Sequence, residues 1–253
     1  MTTHVFPAFS AHAPAPRHDR YKAACSNCGL RELCLPRGVS QAELPKLDAI
    51  VALRRHVPRA GVLFRHGEAL RSLYAVHTGF FKRCMPSHNG RDQVTGFPMP
   101  GELLGLDGLA TEQHHGAAVA LTPSLVCVIP IESLEAVMRE SEDLRRQFNK
   151  LMSREIVREH DMMLLLGTAR AEVRLAAFLL NLAQRLELRG GSPTDLTLWM
   201  TREEIGSHLG LKLETVSRTF SRLQDEGLME VRHRHIRLLD RPGLGQLVHG
   251  ARR

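Results

Sequence analysis

The middle of the chain, residues 57–134, consists of short apolar runs separated by turn residues. Glycines and the pairs Asn89-Gly90 and Pro100-Gly101 break it at the spacing of strands. The best strand candidates are residues 62–64, 73–76 and 125–129. This pattern is typical of an antiparallel roll or barrel.

Two stretches follow the periodicity of helices. The shorter covers residues 41–53 and places Leu44, Leu47, Ile50 and Val51 on one face. The longer covers residues 144–166 and contains neither glycine nor proline. At 1.5 Å per residue this helix would span roughly 35 Å.

Four residues on the long helix have the spacing of a two-stranded coiled coil: Met152, Ile156, Glu159 and Met163. A stripe that faces the protein's own core would give the same spacing. Apolar residues also lie on other faces of this helix, which favours contacts on two sides. We therefore predict that one side packs on its own domain and the other forms a homodimer.

A stretch near the C-terminus has the pattern of a helix-turn-helix. Thr201 and Glu204 form a capping box at the start of a short helix. Gly210 makes the turn, and a second helix covers residues 213–226 and is closed by Gly227. This second helix is the candidate for reading DNA.

The two faces of that second helix differ in character. Apolar residues spaced to meet the core are Val216, Phe220 and Leu223. The polar residues near its start are Lys212, Glu214, Thr215, Ser217 and Arg218. In the major groove an arginine can donate two hydrogen bonds to guanine, and a glutamate can accept one from cytosine. The alternative is an exposed Glu214–Arg218 pair worth a few tenths of a kcal/mol.

Residues 229–239 alternate as a hairpin with basic residues near its turn: Arg232, His233, Arg234 and His235. We predict a wing whose arginines contact phosphates, which position a protein on DNA without specifying sequence. A solvated basic turn is the alternative.

Composition and charge narrow the possible functions. A formal net charge of +7 favours a polyanionic partner, nucleic acid before membrane. No run approaches the roughly 18 apolar residues of a membrane span, and residues 1–20 lack the apolar core of a secretory signal. We expect a cytoplasmic protein with a flexible N-terminus. No phosphate-binding glycine loop or nucleophile elbow occurs, so we do not expect an enzyme.

Together these features resemble the CRP/FNR superfamily of bacterial transcription regulators, over almost the whole chain after residue 20. The roll resemblance is carried by Phe64, Gly67-Glu68, residues 73–79 and residues 100–105, and the DNA resemblance by residues 201–218. It implies an α+β fold with an antiparallel β-roll of the cyclic-nucleotide-binding type, a long dimerisation helix and a C-terminal winged helix-turn-helix. The implied domains are residues 1–36, 37–140, 141–168 and 169–253.

Within the superfamily the chain is most similar to the FNR branch, named for fumarate and nitrate reduction. The residues that carry this likeness are Cys25, Cys28, Cys34-Leu-Pro36, the distant Cys127, the helix stretch 155–166, and Glu214-Thr-Val-Ser217-Arg218. In that branch four such cysteines hold an oxygen-labile [4Fe–4S] cluster, and the Glu, Ser and Arg read half-sites of the TTGAT type. The resemblance therefore implies an oxygen sensor. It also implies contact with RNA polymerase, for which the loop at residues 87–92 is a candidate.

Alternatives for the cysteines remain open at this point. Three cysteines within ten residues can wrap one face of a cluster that a fourth closes, but zinc uses Cys-x₂-Cys as well. Thiols without metal are a third alternative. Cys84 lies on a predicted strand and matches no ligand position of the family, so we interpret it as a buried free thiol.

Three further features bear on DNA binding and on the signal. Lys212 offers no capping acceptor where the recognition helix begins, and Gly29 removes side-chain bulk beside Cys28. The segment at residues 114–117 has no arginine to bind a cyclic-nucleotide phosphate, which argues against cyclic AMP. A small molecule or haem in the roll remains the alternative effector.

Overall fold

The computed structural model describes residues 24–51, 53–87 and 92–250. The N-terminal stretch expected to be flexible, residues 1–20, and residues 88–91 of the candidate polymerase loop lie outside these ranges. The helices are α1 Leu44–Ile50, α2 Ile131–Glu140, α3 Glu142–Thr168, α4 Ala171–Glu187, α5 Arg202–Leu209, α6 Leu213–Asp225 and α7 Arg241–Gly250. The strands are β1 Leu53–Val57, β2 Val62–Phe64, β3 Ser72–Thr78, β4 Phe81–Pro86, β5 Asp92–Gly96, β6 Leu103–Leu104, β7 Ala117–Ala120, β8 Ser124–Pro130, β9 Asp195–Thr197, β10 Met229–Arg232 and β11 His235–Leu238.

Strands β1 to β8 form a roll of two four-stranded antiparallel sheets, in the orders β1-β8-β3-β6 and β2-β7-β4-β5. Apolar side chains of both sheets, including Val76, Phe81 and Val126, meet between them in one buried cluster. The turn after β3 requires glycine, because Gly79 has a φ of 89° and a Cβ there would lie 2.1 Å from Ser124 Oγ. The predicted antiparallel roll and its three strands are confirmed.

Short helices cover the outer face of the first sheet. Leu73 and Ile129 of the sheet share a buried cluster with Leu47 of α1 and Leu134 of α2. Helix α1 is shorter than the predicted 41–53, because Leu53 pairs with Val128 and begins β1. The hydrogen bonds of the sheet thus end the helix earlier than its apolar periodicity does.

Helix α3 is 27 residues long, but Leu144 is its one buried residue. The Ser141 hydroxyl caps its start by accepting a hydrogen bond from the Leu144 amide at 3.2 Å. Further along, Ile156 is 52% exposed and Met163 is 68% exposed. The helix also borders a cleft of about 1260 Å³ that it shares with α4 and the roll. The first half of the helix packs on the roll through Leu144, Phe148 and Leu151, whereas Ile156 and Met163 in the second half remain exposed.

Helices α4 to α7 and a three-stranded sheet of order β10-β11-β9 form the C-terminal part. Its buried cluster combines Leu179 of α4, Ile205 of α5, Phe220 of α6 and Ile236 of β11. The predicted α+β architecture with a long helix and a C-terminal winged helix-turn-helix is confirmed. Strand β9, which adds a third strand to the predicted hairpin, was not expected from the sequence.

The C-terminal part docks on the second sheet of the roll. Val94 and Phe97 belong to the same buried cluster as the core of α4 to α7. The Val94 amide donates to Ser207 Oγ at 2.9 Å, and Gln93 donates to the Ser207 carbonyl. Lys82 on β4 pairs with Glu204 at 2.7 Å. Helix α5 is therefore fixed to β4 and β5 of its own chain.

A carboxylate in the roll anchors α4. Glu102 accepts two hydrogen bonds from the Arg185 guanidinium, at 3.0 and 2.6 Å, and one from Arg189 at 2.9 Å. Burial would raise the pKa of Glu102, but the two guanidinium groups outweigh it, so the pKa lies below its ordinary value. The carboxylate is thus held in its charged form at neutral pH.

Candidate DNA-reading and cysteine sites

The predicted capping box of α5 is present. Thr201 Oγ1 accepts from the Glu204 amide at 3.1 Å, and Glu204 Oε2 accepts from the Thr201 amide at 2.7 Å. Gly210 ends the helix with a φ of 62°. A Cβ at Gly206 would lie 2.6 Å from the Leu211 carbonyl oxygen, so the turn packs directly on the helix. These contacts fix the angle at which α6 leaves the turn.

Helix α6 has the two predicted faces. The core-facing residues Val216, Phe220 and Leu223 are buried. The candidate base-reading residues Glu214, Ser217 and Arg218 are exposed, and Thr215 is half-buried between them. Glu214 and Arg218, both described, form no ion pair with each other, so both are available to a ligand. Lys212 is exposed at the N-cap and makes no side-chain capping bond.

The wing is shorter than its alternation predicted. His233 and Arg234 form the turn, with His233 at a φ of 56°. Arg232 pairs with Glu230 on its own strand at 2.6 Å, while its side chain remains 78% exposed. Arg234 is exposed, and its carbonyl accepts from the Leu198 amide. Both arginines proposed to contact phosphates therefore lie at the exposed end of the hairpin.

The three clustered cysteines and the distant Cys127 meet at one pocket. Cys25, Cys28 and Cys34 lie on the loop before α1, and Cys127 lies on β8. All four are free thiols and half-buried. Cys84 is buried elsewhere, in β4, as the sequence indicated.

The thiols are close enough to influence one another's ionisation. Burial, reinforced by neighbouring Cys127 and Asp48, raises the pKa of Cys25 to about 12. Burial likewise raises the pKa of Cys34 to about 12. Burial also raises the pKa of Cys127, whereas the adjacent Arg54 acts to lower it. Each of the four thiols interacts electrostatically with the other three. Such a set is costly to ionise unless cations or metal neutralise it.

Buried nitrogen atoms without a hydrogen-bond partner lie around this pocket. Arg31 and His77 line it, and both Arg31 Nε and His77 Nδ1 are in this condition, although Glu32 Oε1 lies 3.8 Å from Arg31 Nε. Arg54 Nε, on the strand that pairs with β8, is in the same condition. Buried polar nitrogens normally find partners. Four thiols beside buried arginine and histidine nitrogens that lack a partner fit an anionic, sulfur-rich group. The sequence alone did not single out these three residues, because their proximity depends on the register of β1, β3 and β8.

In the described ranges, no group of three or more His, Cys, Asp or Glu side chains is arranged to hold a single metal ion. Zinc bound by four cysteines requires all sulfurs about 2.3 Å from one centre.

The candidate dimer residues lie on helix α3. Met152 is half-buried, whereas Ile156, Glu159 and Met163 are exposed. The Arg83 guanidinium on β4 reaches Glu159 at 2.7 Å and Glu155 at 3.1 Å. This link between roll and helix was not foreseen, because the pairing residues are far apart in sequence.

The roll interior near residues 114–117 is filled by the chain itself. The ring of His114 stacks on Phe64 with centroids 3.7 Å apart. The backbone amides of His115 and Gly116 donate to Asp107 Oδ2 at 2.8 and 3.0 Å. A carboxylate therefore already occupies these amides, and a phosphate there would meet its negative charge.

Comparisons with known proteins agree with this architecture. Residues 54–141 match the cyclic nucleotide-binding domain, and residues 173–247 match the Crp-like helix-turn-helix domain. The chain is 46% identical to the transcriptional regulatory protein btr of Bordetella pertussis, over 89% of this chain and 93% of that one. It is 39% identical to the fumarate and nitrate reduction regulatory protein of Escherichia coli K12, over 88% and 90%. The structure of FixK2 from Bradyrhizobium japonicum superposes with a TM-score of 0.71 at 31% identity, over 77% and 96%.

A β-roll joined by a long helix to a winged helix-turn-helix defines a class of DNA-binding regulators. The chain belongs to the CRP/FNR family, as an FNR-like transcription regulator with a DNA-binding helix-turn-helix. Proteins of this family regulate transcription and are not enzymes, which confirms that expectation. None of the helices described in the structure is long and apolar enough to cross a membrane.

Proposed function

We propose that this regulator responds to oxygen through a [4Fe–4S] cluster held by Cys25, Cys28, Cys34 and Cys127. The observation that carries the proposal is the convergence of four free thiols, three from a loop and one from β8, on one pocket beside buried nitrogens that lack a hydrogen-bond partner. The FNR-type names of relatives support it. A bound cluster would supply an oxygen-labile junction between the loop and the roll.

Several contacts connect the cysteine loop to the rest of the chain. Ser26 on the cysteine loop donates to Asp48 of α1 at 2.6 Å, so the loop is already tied to the helix that covers the sheet. A Cβ at Gly101 would lie 2.8 Å from Leu33 Cβ, so the loop also presses on the turn before Glu102. Glu102 in turn holds Arg185 and Arg189 of α4. Ligation at the cysteines is thus close to contacts that position the DNA-binding part.

The proposed DNA-bound form is a homodimer joined along α3 at Met152, Ile156, Glu159 and Met163. A second copy of the chain would cover the exposed apolar residues of this helix. Two facing Glu159 carboxylates would oppose this pairing, which keeps the equilibrium marginal and open to control. The proposal includes four domains, with limits at residues 1–36, 37–140, 141–168 and 169–253.

Two recognition helices in such a dimer would read half-sites one DNA turn apart, in palindromes of the TTGAT type. Glu214, Ser217 and Arg218 would contact bases, with Thr215 beside them. Lys212, Arg232 and Arg234 would contact phosphates. We further propose contact with RNA polymerase through the roll loop at residues 87–92, and a cytoplasmic location, where thiols stay reduced.

The test is purification without oxygen, followed by iron and sulfide analysis and an absorption spectrum before and after air. We expect a brown protein with about four irons per chain that bleaches in air. Cys→Ser changes at the four ligands should abolish iron binding, whereas the matched change Cys84→Ser should leave it intact. Colourless protein with stoichiometric zinc would overturn the cluster. Regulated DNA binding in the four Cys→Ser variants would point instead to a small molecule or haem in the roll.

A further inference from the structure

The register of the first sheet places two basic residues beside the cysteine pocket. In β1, Arg54 lies directly opposite Cys127 of β8. In β3, Ala75 lies opposite Cys127 on its other side, and His77 follows two residues later. Residues directly opposite each other in neighbouring strands share a face of a sheet, so Arg54 and Cys127 project toward the side that the cysteine loop covers. The register of β3 shifts between Val76 and Thr78, and His77 lines the same pocket as Cys127.

Both basic residues have nitrogen atoms that nothing in the described chain satisfies. Arg54 Nε and His77 Nδ1 are buried without a hydrogen-bond partner, although the Arg54 guanidinium also interacts with Cys127. An unpartnered buried donor costs about 1–3 kcal/mol. A sulfur atom of a group bound in the pocket would give these two nitrogens a hydrogen-bond partner.

We propose that Arg54 and His77 donate hydrogen bonds to the sulfur atoms of the group held by the four cysteines, and that Arg54 offsets part of its negative charge. The inference rests on the proposed function and deepens it, because it names residues that retain the group without ligating it. Both act as positioning residues, and their effect is on retention.

The charges around the pocket support this role. Ligation would turn the four thiols into thiolates, a concentrated negative charge, and Asp48 lies beside Cys25. The described cations facing the thiols are Arg54 and, on the loop side, Arg31. Arg31 is partly engaged by the Val39 carbonyl at 3.2 Å. Hydrogen bonds to cluster sulfurs and outer-shell partners of ligands are known to tune such sites, and Arg54 is the residue best placed to do so.

The neighbouring residue provides a matched control. Arg55 carries the same side chain one position along β1, opposite Val126, whose side chain lies in the roll interior. It donates to the Leu63 carbonyl at 3.2 Å, and its Nε is likewise buried without a partner. Arg55→Met therefore removes the same charge, and an Nε that likewise lacks a hydrogen-bond partner, from the opposite face of the same strand.

The experiment compares full-length Arg54→Met, Arg54→Lys, His77→Leu, His77→Asn and Arg55→Met, all purified without oxygen. The measured quantities are iron and sulfide per chain and the rate of iron loss to excess chelator, still without oxygen. We expect Arg54→Met to lose iron about 10-fold faster or more, with Arg54→Lys in between. His77→Leu should lose iron faster than His77→Asn, whose amide can replace the Nδ1 donor. Arg55→Met should match the unmodified protein. Thermal unfolding of each apo variant shows whether it is folded.

The outcomes separate this inference from the cluster itself. If the unmodified protein holds iron and sulfide and Arg54→Met retains them equally long, the role of Arg54 is wrong and the cluster stands. If the unmodified protein holds no iron or sulfide, the proposed function fails, and Cd²⁺ serves as the probe in the same variants. Weaker Cd²⁺ binding by Arg54→Met than by Arg55→Met would still support the role of Arg54, whereas equal binding would overturn it.

Discussion

Helices α3 and α4 follow each other in the chain and differ in what they bury. Seven of the 17 residues of α4 are buried, against one of the 27 residues of α3. α4 is enclosed by the DNA-binding core and anchored to the roll by Glu102, whereas α3 borders a cleft and exposes Ile156 and Met163. The chain therefore contains the partners that stabilise α4, and we expect the partners of the exposed apolar residues of α3 to come from a second copy.

The largest expected effect comes from the centre of α4. Leu179 is fully buried, so Leu179→Ala should lower the free energy of unfolding by about 2–5 kcal/mol through lost burial and a cavity. Chemical denaturation of the apo protein measures this. Ile156→Ala on α3 is the control and should change the stability of the monomer by less than about 0.5 kcal/mol. Equal losses at both positions would contradict the contrast between the helices.

The second prediction concerns the pH dependence of stability, which should come from a buried histidine that contacts α4 and not from a histidine on α3. His208 of α5 is buried against Phe97, which follows β5, and against Phe178 of α4. The centroids of these rings lie 5.2 and 5.9 Å from that of His208. Burial, with smaller effects from Arg185 and Arg83, lowers its pKa to about 4. Because the unfolded chain takes up this proton near pH 6.5, stability should fall as pH drops from 6.5 toward 4, by roughly 3 kcal/mol.

Denaturation at pH 7 and at pH 4.5 tests that prediction. His208→Gln should flatten the pH dependence, even if it lowers stability at neutral pH. His160→Gln, on the exposed surface of α3, should leave the dependence unchanged. A His208→Gln protein as acid-sensitive as the unmodified one would show that other groups cause the loss.

The third prediction concerns Glu102, the carboxylate that anchors α4. Glu102→Gln leaves Arg185 and Arg189 without their carboxylate and should cost about 2 kcal/mol at pH 7. The pKa of Glu102 is lowered in the folded protein, so its contribution is complete above the unfolded value of about 4.3 and is lost as pH falls below it. Denaturation of Glu102→Gln should therefore converge with the unmodified protein in acid. The surface change Glu135→Gln on α2 serves as the control.

The sequence predicted best those features that depend on neighbours along the chain. The capping box of Thr201 and Glu204, the buried face of α6 and the uncapped Lys212 all follow from the spacing of residues within one or two turns. Glycine and the apolar runs likewise located the strands of the roll. The cysteine set came from the resemblance, since spacing alone left zinc and free thiols open.

Contacts across distant segments were not predictable in this way. Strand β9 is three residues long and owes its existence to pairing with β11. The docking of Ser207 on Val94 joins residues 113 positions apart. The placement of Arg54 beside Cys127 requires the register of two strands. Each depends on tertiary geometry that a pattern within one segment does not contain.

The smallest effect concerns α3 itself and the proposed dimer. Glu159→Ala removes a charge that a dimer along this helix would have to bury beside its copy. We expect apo protein in air to dimerise more tightly by about 1–2 kcal/mol, roughly 5- to 30-fold in the dissociation constant. Analytical ultracentrifugation measures this, and tighter binding to a TTGAT palindrome should accompany it.

Glu155→Ala separates the seam from the ion pair in that last experiment. Arg83 holds both carboxylates, at 3.1 Å for Glu155 and 2.7 Å for Glu159, so either change removes a partner of Arg83. Only Glu159 has the seam spacing with Met152 and Ile156. Dimerisation strengthened by Glu159→Ala alone would therefore locate the opposing charge in the seam. Equal strengthening by both would instead assign control to the release of Arg83, and no strengthening by either would remove α3 as the interface that Glu159 regulates.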